Sequence, residues 1–339
     1  MSFDKYFTDT EEINVIFLGG SITEGAGSSQ REHCYAQRVS RWLEQNISDS
    51  KTVKCFNKGV GGTDSQYGLL RLSRDVISLN PHLVFVEFAV NDAGTDSRKY
   101  MESIVRSLMA ASNPYIVFLY TTNSEYTTVT SYHEQVAEYY GISQISLKDA
   151  LEKELGGKNA KDMGYLVDSV HPTDKGYDVY YRKIISCLET GEYFKKPDCT
   201  LQPLTDSFLV KTQFVSSAGD GVKRCGDWQI STSSPNRPWA RSSQVGDSIS
   251  LRFEGNILAI EHGLHADSNM YEIIIDGKKE DTIHPVSGDI RTNQLVVGYI
   301  NFDLPDGEHD VEIRTVEYTK DGTEGTQVLI YNFITGNIL

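Results

Sequence analysis

No apolar run among the 339 residues approaches membrane-spanning length, so no transmembrane helix is expected. Basic residues are in deficit. Lys and Arg number 32 against 47 Asp and Glu, a net charge of −15, which argues against nucleic acid and anionic membrane surfaces as partners. Cysteine is scarce and odd in number: Cys34, Cys55, Cys187, Cys199 and Cys225, with no C-x-x-C spacing. Free thiols in a reducing compartment are the expectation. There is no H-E-x-x-H, no zinc-like cluster, no internal repeat and no low-complexity segment. The first residues, Met1-Ser2-Phe3-Asp4-Lys5-Tyr6-Phe7, lack a basic region followed by an apolar stretch. No secretory leader is therefore expected, and the chain reads as cytoplasmic.

What is present begins with Val15-Ile16-Phe17-Leu18-Gly19-Gly20-Ser21-Ile22-Thr23-Glu24-Gly25. A short apolar run ended by two glycines reads as a buried parallel strand at its carboxyl end, where ligands of open α/β sheets bind. A serine there is exposed beside backbone N–H groups, a suitable place for a nucleophile. The stretch also reads as a tight strand-to-helix turn whose Ser21 caps the helix. Phosphate-loop readings fail. Ala26 and Gly27 stand where a P-loop needs Lys and Ser or Thr, and G-x-G-x-x-G is not formed. The G-x-S-x-G elbow fails at Thr23.

Residues 13 to about 190 alternate strand-like runs (Ile13–Leu18, Val53–Phe56, Leu83–Phe88, Tyr115–Tyr120, Ile142–Ile145) with helical patterns over about 35–45, 67–79, 98–111, 133–140 and 174–188. Such alternation predicts a parallel sheet covered by helices on both faces. In the last helix Tyr177, Tyr180 and Tyr181 share one face and read as core. From about Pro197 helical periodicity gives way to seven β-rich runs: 207–215, 248–253, 257–262, 271–275, 294–302, 309–316 and 327–334. Hairpin turns are expected at Asp276-Gly277, Asp306-Gly307 and Asp321-Gly322. The expected organisation is an α/β domain over 1–196 and an all-β, jelly-roll-like sandwich over 197–339. Residues 197–339 carry 11 basic and 21 acidic side chains, and 1–196 carry 21 and 26. Neither half offers a nucleic-acid footprint.

Three further stretches end at the same edge of the expected sheet. Asn57-Lys58-Gly59-Val60-Gly61-Gly62-Thr63-Asp64 lets backbone N–H groups approach a ligand. Asn91-Asp92 follows the third strand, and an Asn amide can donate to a developing oxyanion. Asp168-Ser169-Val170-His171 places a carboxylate within one turn of an imidazole, so that the ring could deprotonate Ser21. Each piece alone is an ordinary turn, cap or surface pair. The ordered set is much harder to obtain by chance.

On these residues the first domain resembles the SGNH (GDSL-type) hydrolase superfamily, which implies a flavodoxin-like three-layer α/β/α sandwich. The resemblance makes Ser21 the nucleophile and an oxyanion donor, with Gly62 and Asn91 as the other donors and Asp168 and His171 completing a triad. Two positions depart from the family pattern: Gly20 stands where it has Asp, and Ala89 where it has Gly. The two-domain layout is similar to bacterial acetyl-mannan esterases carrying a family-35-type carbohydrate-binding module. That likeness implies removal of O-acetyl groups from manno-oligosaccharides first and xylo-oligosaccharides next, with an acetylated oligosaccharide as the partner and no catalytic cofactor or metal. It also allows a structural calcium in the acidic loops of the second domain. Trp228 and Trp239 lie in turn-rich stretches where an indole could stack on a sugar, and each reads equally well as sandwich core. Lysophospholipase or acyl-thioesterase activity stays open, as do a sugar-binding protein without turnover and a homo-oligomeric state.

Overall fold

The computed structural model describes residues 3–47, 50–92, 94–190, 194–233, 237–264, 268–284, 294–317, 319–320, 323–324 and 327–339. Its contacts divide the chain into two compact units, Met1–Leu209 and Val210–Leu339.

The first unit is built on five parallel strands, β1 (Glu12–Gly19), β2 (Thr52–Gly59), β3 (Leu83–Glu87), β4 (Tyr115–Tyr120) and β5 (Ser143–Ser146), in the order 2-1-3-4-5. That is the flavodoxin-like order, with its reversal between β1 and β3. The registers pair Gly19 with both Gly59 and Glu87. The carboxyl ends of β2, β1 and β3 therefore lie level, and the segments after them leave from one edge.

The helices are α1 (Ser21–Glu24), α2 (Tyr35–Asn46), α3 (Ser65–Leu70), α4 (Leu72–Asp75), α5 (Asp96–Ala111), α6 (Ser131–Tyr140), α7 (Leu147–Leu155) and α8 (Asp174–Thr190). Both faces of β1 and β3 are buried, which explains why they read as unbroken apolar runs. One core joins Val15, Phe17 and Phe85 to Val39 and Leu43 of α2, Leu151 of α7, and Tyr177 and Tyr180 of α8. Tyr177 and Tyr180 of α8 are core, as their spacing predicted, whereas Tyr181 is only partly buried against it, with the Arg38 guanidinium over its ring.

The single helix expected over 67–79 is broken into α3, α4 and a final 3₁₀ turn, Ile77–Leu79. The break falls at Arg71 (φ −95°, ψ 2°), whose side chain turns inward. Helix α7 was not expected. Its signals are Ser146, which caps it by accepting from the Asp149 N–H, and buried Leu147, Leu151 and Leu155 at helical spacing.

Residues 197–209 stay with the first unit, so the division falls after Leu209 rather than after 196. Buried Glu102 of α5 explains the shift. Its carboxylate accepts the Leu204 and Thr205 N–H groups, at 2.5 and 2.7 Å, and the Tyr140 hydroxyl at 2.6 Å.

The second unit is a sandwich of antiparallel sheets. One holds Lys223–Cys225, Ser248–Glu254, Tyr271–Ile275, Lys278–Ile283 and Glu308–Thr315. The other holds Val210–Ser216, Gln229–Ser231, Trp239–Ser242, Ile257–Leu264, Gln294–Asn301 and Val328–Ile338. Ile249, Leu251, Ile273 and Ile313 of the first meet Leu258, Ile260, Ile330 and Phe333 of the second in one core. The strand Lys278–Ile283 escaped the sequence pattern because it is a polar edge strand. Asp276 and Gly277, both at positive φ, make the expected hairpin before it. Asp321-Gly322 lies outside the described residues.

Candidate active site

Ser21 opens α1 directly after β1, and its side chain is almost buried. Its Oγ lies 2.8 Å from His171 Nε2. His171 Nδ1 lies 2.7 Å from Asp168 Oδ2, while Asp168 Oδ1 accepts the N–H groups of Val170 and His171 at 2.8 Å each. Burial pushes the Asp168 carboxyl up, but the bonds from the His171 ring and these N–H groups outweigh it and hold the group below its usual value. The loop bearing this pair is closed by a bridge between Leu166 and Pro172, and is tied to the segment after β4 by the Ser124 N–H on the Ser169 carbonyl (2.8 Å). The arrangement can carry a proton from a hydroxyl to an imidazole whose second nitrogen is held by a carboxylate.

The turn carrying Ser21 is fixed from several sides. Tyr177 donates its hydroxyl to the Ile22 and Ala26 carbonyls (3.0 and 2.7 Å). Asn57 donates to the Thr23 carbonyl at 2.7 Å, and Glu24 accepts the Gly61 N–H at 2.9 Å. Beneath it lies Glu87, fully buried, accepting from Thr23 (2.8 Å) and Thr121 (2.6 Å). Burial raises its carboxyl above the usual range, against those two bonds. A single charged residue closing an otherwise apolar strand was the sequence signal for Glu87.

Fully buried Arg71 donates to the Gly19 carbonyl at 2.9 Å and the Lys58 carbonyl at 2.7 Å, joining the ends of β1 and β2. Arg71→Ala takes a charged donor from both carbonyls, leaving the Gly19 carbonyl with the Val60 N–H (3.0 Å), and leaves Asp75 without one of its partners. The expected cost is about 3 kcal/mol or more, read as a lowered urea-unfolding midpoint.

The two other expected oxyanion donors border the same turn. Gly62 has φ +73°, a backbone shape that suits glycine. Asn91 leaves the end of β3 in a turn in which its own N–H and that of Asp92 donate to the Phe88 carbonyl at 3.0 Å. Asn91 Oδ1 is buried without a partner among the described residues. A Cβ on Gly20 would stand 2.8 Å from that Oδ1 and 3.1 Å from the Thr63 carbonyl oxygen. Glycine in place of the family's aspartate is therefore matched to the present seat of Asn91. Gly20→Ala is expected to push the amide aside and lower kcat about 10- to 100-fold with little change in KM, measured by steady-state kinetics on a p-nitrophenyl ester.

The two tryptophans separate. Trp228 packs against the sandwich core, the alternative its sequence also allowed. Trp239 lies on the strand Trp239–Ser242, where Ala240 and Ser242 point inward and Trp239 and Arg241 share the other face. The Arg241 guanidinium sits 5.2 Å above the Trp239 ring. Arg241 also lines a cavity of about 280 Å³ with Asp227, Gln229, Ser243 and Gln327. Among the described residues no group of three or more His, Cys, Asp or Glu side chains stands ready to hold a metal, so no seat for the allowed calcium is identified there. No described helix is long and apolar enough to cross a membrane.

Comparison with known proteins places this geometry. Residues 17–179 match the model of the GDSL-like lipase/acylhydrolase family. A crystal structure of a two-domain esterase (CEX) active on acetylated mannans, co-crystallised with mannopentaose, superposes with a TM-score of 0.83 at 25% identity, covering 98% of this chain and 92% of that one. A second structure of an esterase so described gives 0.82 at 24% identity, covering 98% and 93%. No curated protein matches the chain in sequence. The segment from β1 into α8 that carries Ser21, Asn91, Asp168 and His171 is a GDSL-like lipase/acylhydrolase domain, and the chain is a carboxylic ester hydrolase.

Proposed function

We propose that the enzyme is a serine esterase that removes O-acetyl groups from hemicellulose oligosaccharides, manno-oligosaccharides before xylo-oligosaccharides. The observation that carries the reading is the relay Ser21 Oγ–His171 Nε2–Asp168, with bonds of 2.8 and 2.7 Å at the carboxyl edge of the sheet. The full-length likeness to an esterase active on acetylated mannans supplies the substrate class.

In this reading Ser21 attacks the acetyl carbonyl while His171 takes its proton. Asp168 holds the ring in one tautomer and stabilises the imidazolium. The Ser21 N–H, the Gly62 N–H and the Asn91 amide receive the oxyanion. Asn91 is suited to this because its Oδ1 is turned toward Gly20, leaving the NH₂ end for a ligand. His171 then gives its proton to the departing sugar oxygen, which leaves as a hydroxyl, and in the second half it activates water to release acetate. Every step uses a side chain or backbone group of this chain. Trp239, on an outer strand face beside a polar cavity, is the residue of the second unit we assign to sugar stacking.

Acyl-length preference tests the substrate class. Rates on p-nitrophenyl acetate, butyrate and palmitate should fall steeply with length, and acetylated manno-oligosaccharides should lose acetate faster than xylo-oligosaccharides. Preference for palmitate would move the reading to lipid esters.

A further inference from the structure

A second buried Asp–His pair lies beside the site. Asp92 Oδ2 is 2.7 Å from His133 Nε2, and both side chains are 3% exposed. His133 comes from α6, where it lies on the inward face with Val136, Ala137 and Tyr140. Its ring is set against Phe118 and Tyr120 of β4. The other carboxylate oxygen of Asp92 accepts the Ser65 N–H at 2.9 Å. Ser65 is the first residue of α3 and follows directly on the Gly61-Gly62-Thr63-Asp64 loop. Asp92 thus ties the Asn91 turn on one side to the glycine loop on the other, and His133 holds the free end of the tie.

We propose that His133 is a positioning residue for the esterase reaction. Its ring N–H fixes the Asp92 carboxylate, and Asp92 keeps Asn91 and the Gly62 loop at the separation an oxyanion needs. This rests on the oxyanion assignment of Asn91 given above. Two oxyanion donors from different loops must hold their spacing to within a fraction of an ångström, because small misplacements at a reacting centre cost large factors in rate. A buried carboxylate with one oxygen on a backbone N–H and the other on an imidazole is a rigid spacer of that kind. A side chain that acted only in folding would alter the amount of active enzyme and leave its kcat and coupling to Asn91 untouched.

The test is a double-mutant cycle on p-nitrophenyl acetate with wild type, His133→Ala, Asn91→Ala and the double variant, with His133→Gln as the conservative replacement. His133→Ala should lower kcat about tenfold at nearly constant KM. On the Asn91→Ala background the same change should cost about threefold or less, because the donor it positions is gone. His133→Gln, whose amide can donate to Asp92, should recover most of the loss. Equal cost on both backgrounds would overturn the proposal, as would full kcat in His133→Ala. If His133→Ala folds poorly, His133→Gln decides alone: a thermal midpoint and kcat near wild type support the proposal, and a normal midpoint with a tenfold loss overturns it. An Asn91→Ala variant with full activity would instead overturn the oxyanion assignment itself.

Discussion

Ser21→Ala is expected to lower kcat on p-nitrophenyl acetate by about 10⁵- to 10⁶-fold, the loss seen when a triad nucleophile is removed. KM should change little, because the lost oxygen makes its bond to the substrate only as the reaction proceeds. The backbone of the turn should survive, since its supports are elsewhere. Tyr177 holds the Ile22 and Ala26 carbonyls, Asn57 holds the Thr23 carbonyl, and the Gly25 N–H bonds to the Ser21 carbonyl at 3.0 Å. Residual turnover would come from the oxyanion donors, which the substitution leaves in place. The check is steady-state kinetics together with labelling by a fluorophosphonate, which should attach to wild type at Ser21 and not to the variant. A variant within tenfold of wild type would remove Ser21 from the mechanism.

Asp168→Asn has the second-largest expected effect, a loss of about 10³- to 10⁴-fold in kcat. Its geometry separates structure from chemistry. Oδ1 accepts the Val170 and His171 N–H groups at 2.8 Å, and an asparagine carbonyl can keep both bonds. Oδ2 faces His171 Nδ1 at 2.7 Å, and an NH₂ group there turns an acceptor into a donor. The ring then places its proton on Nε2, facing Ser21, and cannot take the serine proton. The fold should be retained and the unfolding midpoint little moved. The sign of the pH dependence follows from the same bonds. The Asp168 carboxyl is lowered in the folded protein, so its contribution is complete above the unfolded carboxylate value of about 3.9 and fades as pH falls through the lower folded value. Acid inactivation in wild type should therefore track other groups before Asp168. With its side chain half exposed, solvent screening keeps this contribution to stability small.

Much of this site was legible in the sequence because Ser21, Gly62 and Asn91 follow strand ends and Asp168 and His171 stand three apart just before α8. A parallel strand buried on both faces is an unbroken apolar run, and such runs placed Ser21 and the segments after β2 and β3 at one edge. Ser21, Asn91, Asp168 and His171 were named from that logic together with family spacing. The supports were harder to see. His133 is one histidine on an otherwise apolar helix face, a pattern that mostly marks core. Arg71 looked like one residue of a continuous helix, and only its inward turn reveals that it pairs the Gly19 and Lys58 carbonyls. Glu102 gave no sign of holding residues 204 and 205, so the domain boundary was placed too early. In each case the partner is distant in sequence, and no local period reports it. The sandwich was legible in its longer alternating strands. Three-residue strands such as Lys223–Cys225 and Gln229–Ser231 carry too few side chains to show a period.

The most direct test of the account is acetate release from an acetylated manno-oligosaccharide by wild type and Ser21→Ala under the same conditions. The account predicts rapid release by wild type and almost none by the variant. An untouched acetylated sugar beside rapid hydrolysis of a long-chain ester would contradict the assigned substrate, and undiminished release by Ser21→Ala would contradict the assigned nucleophile.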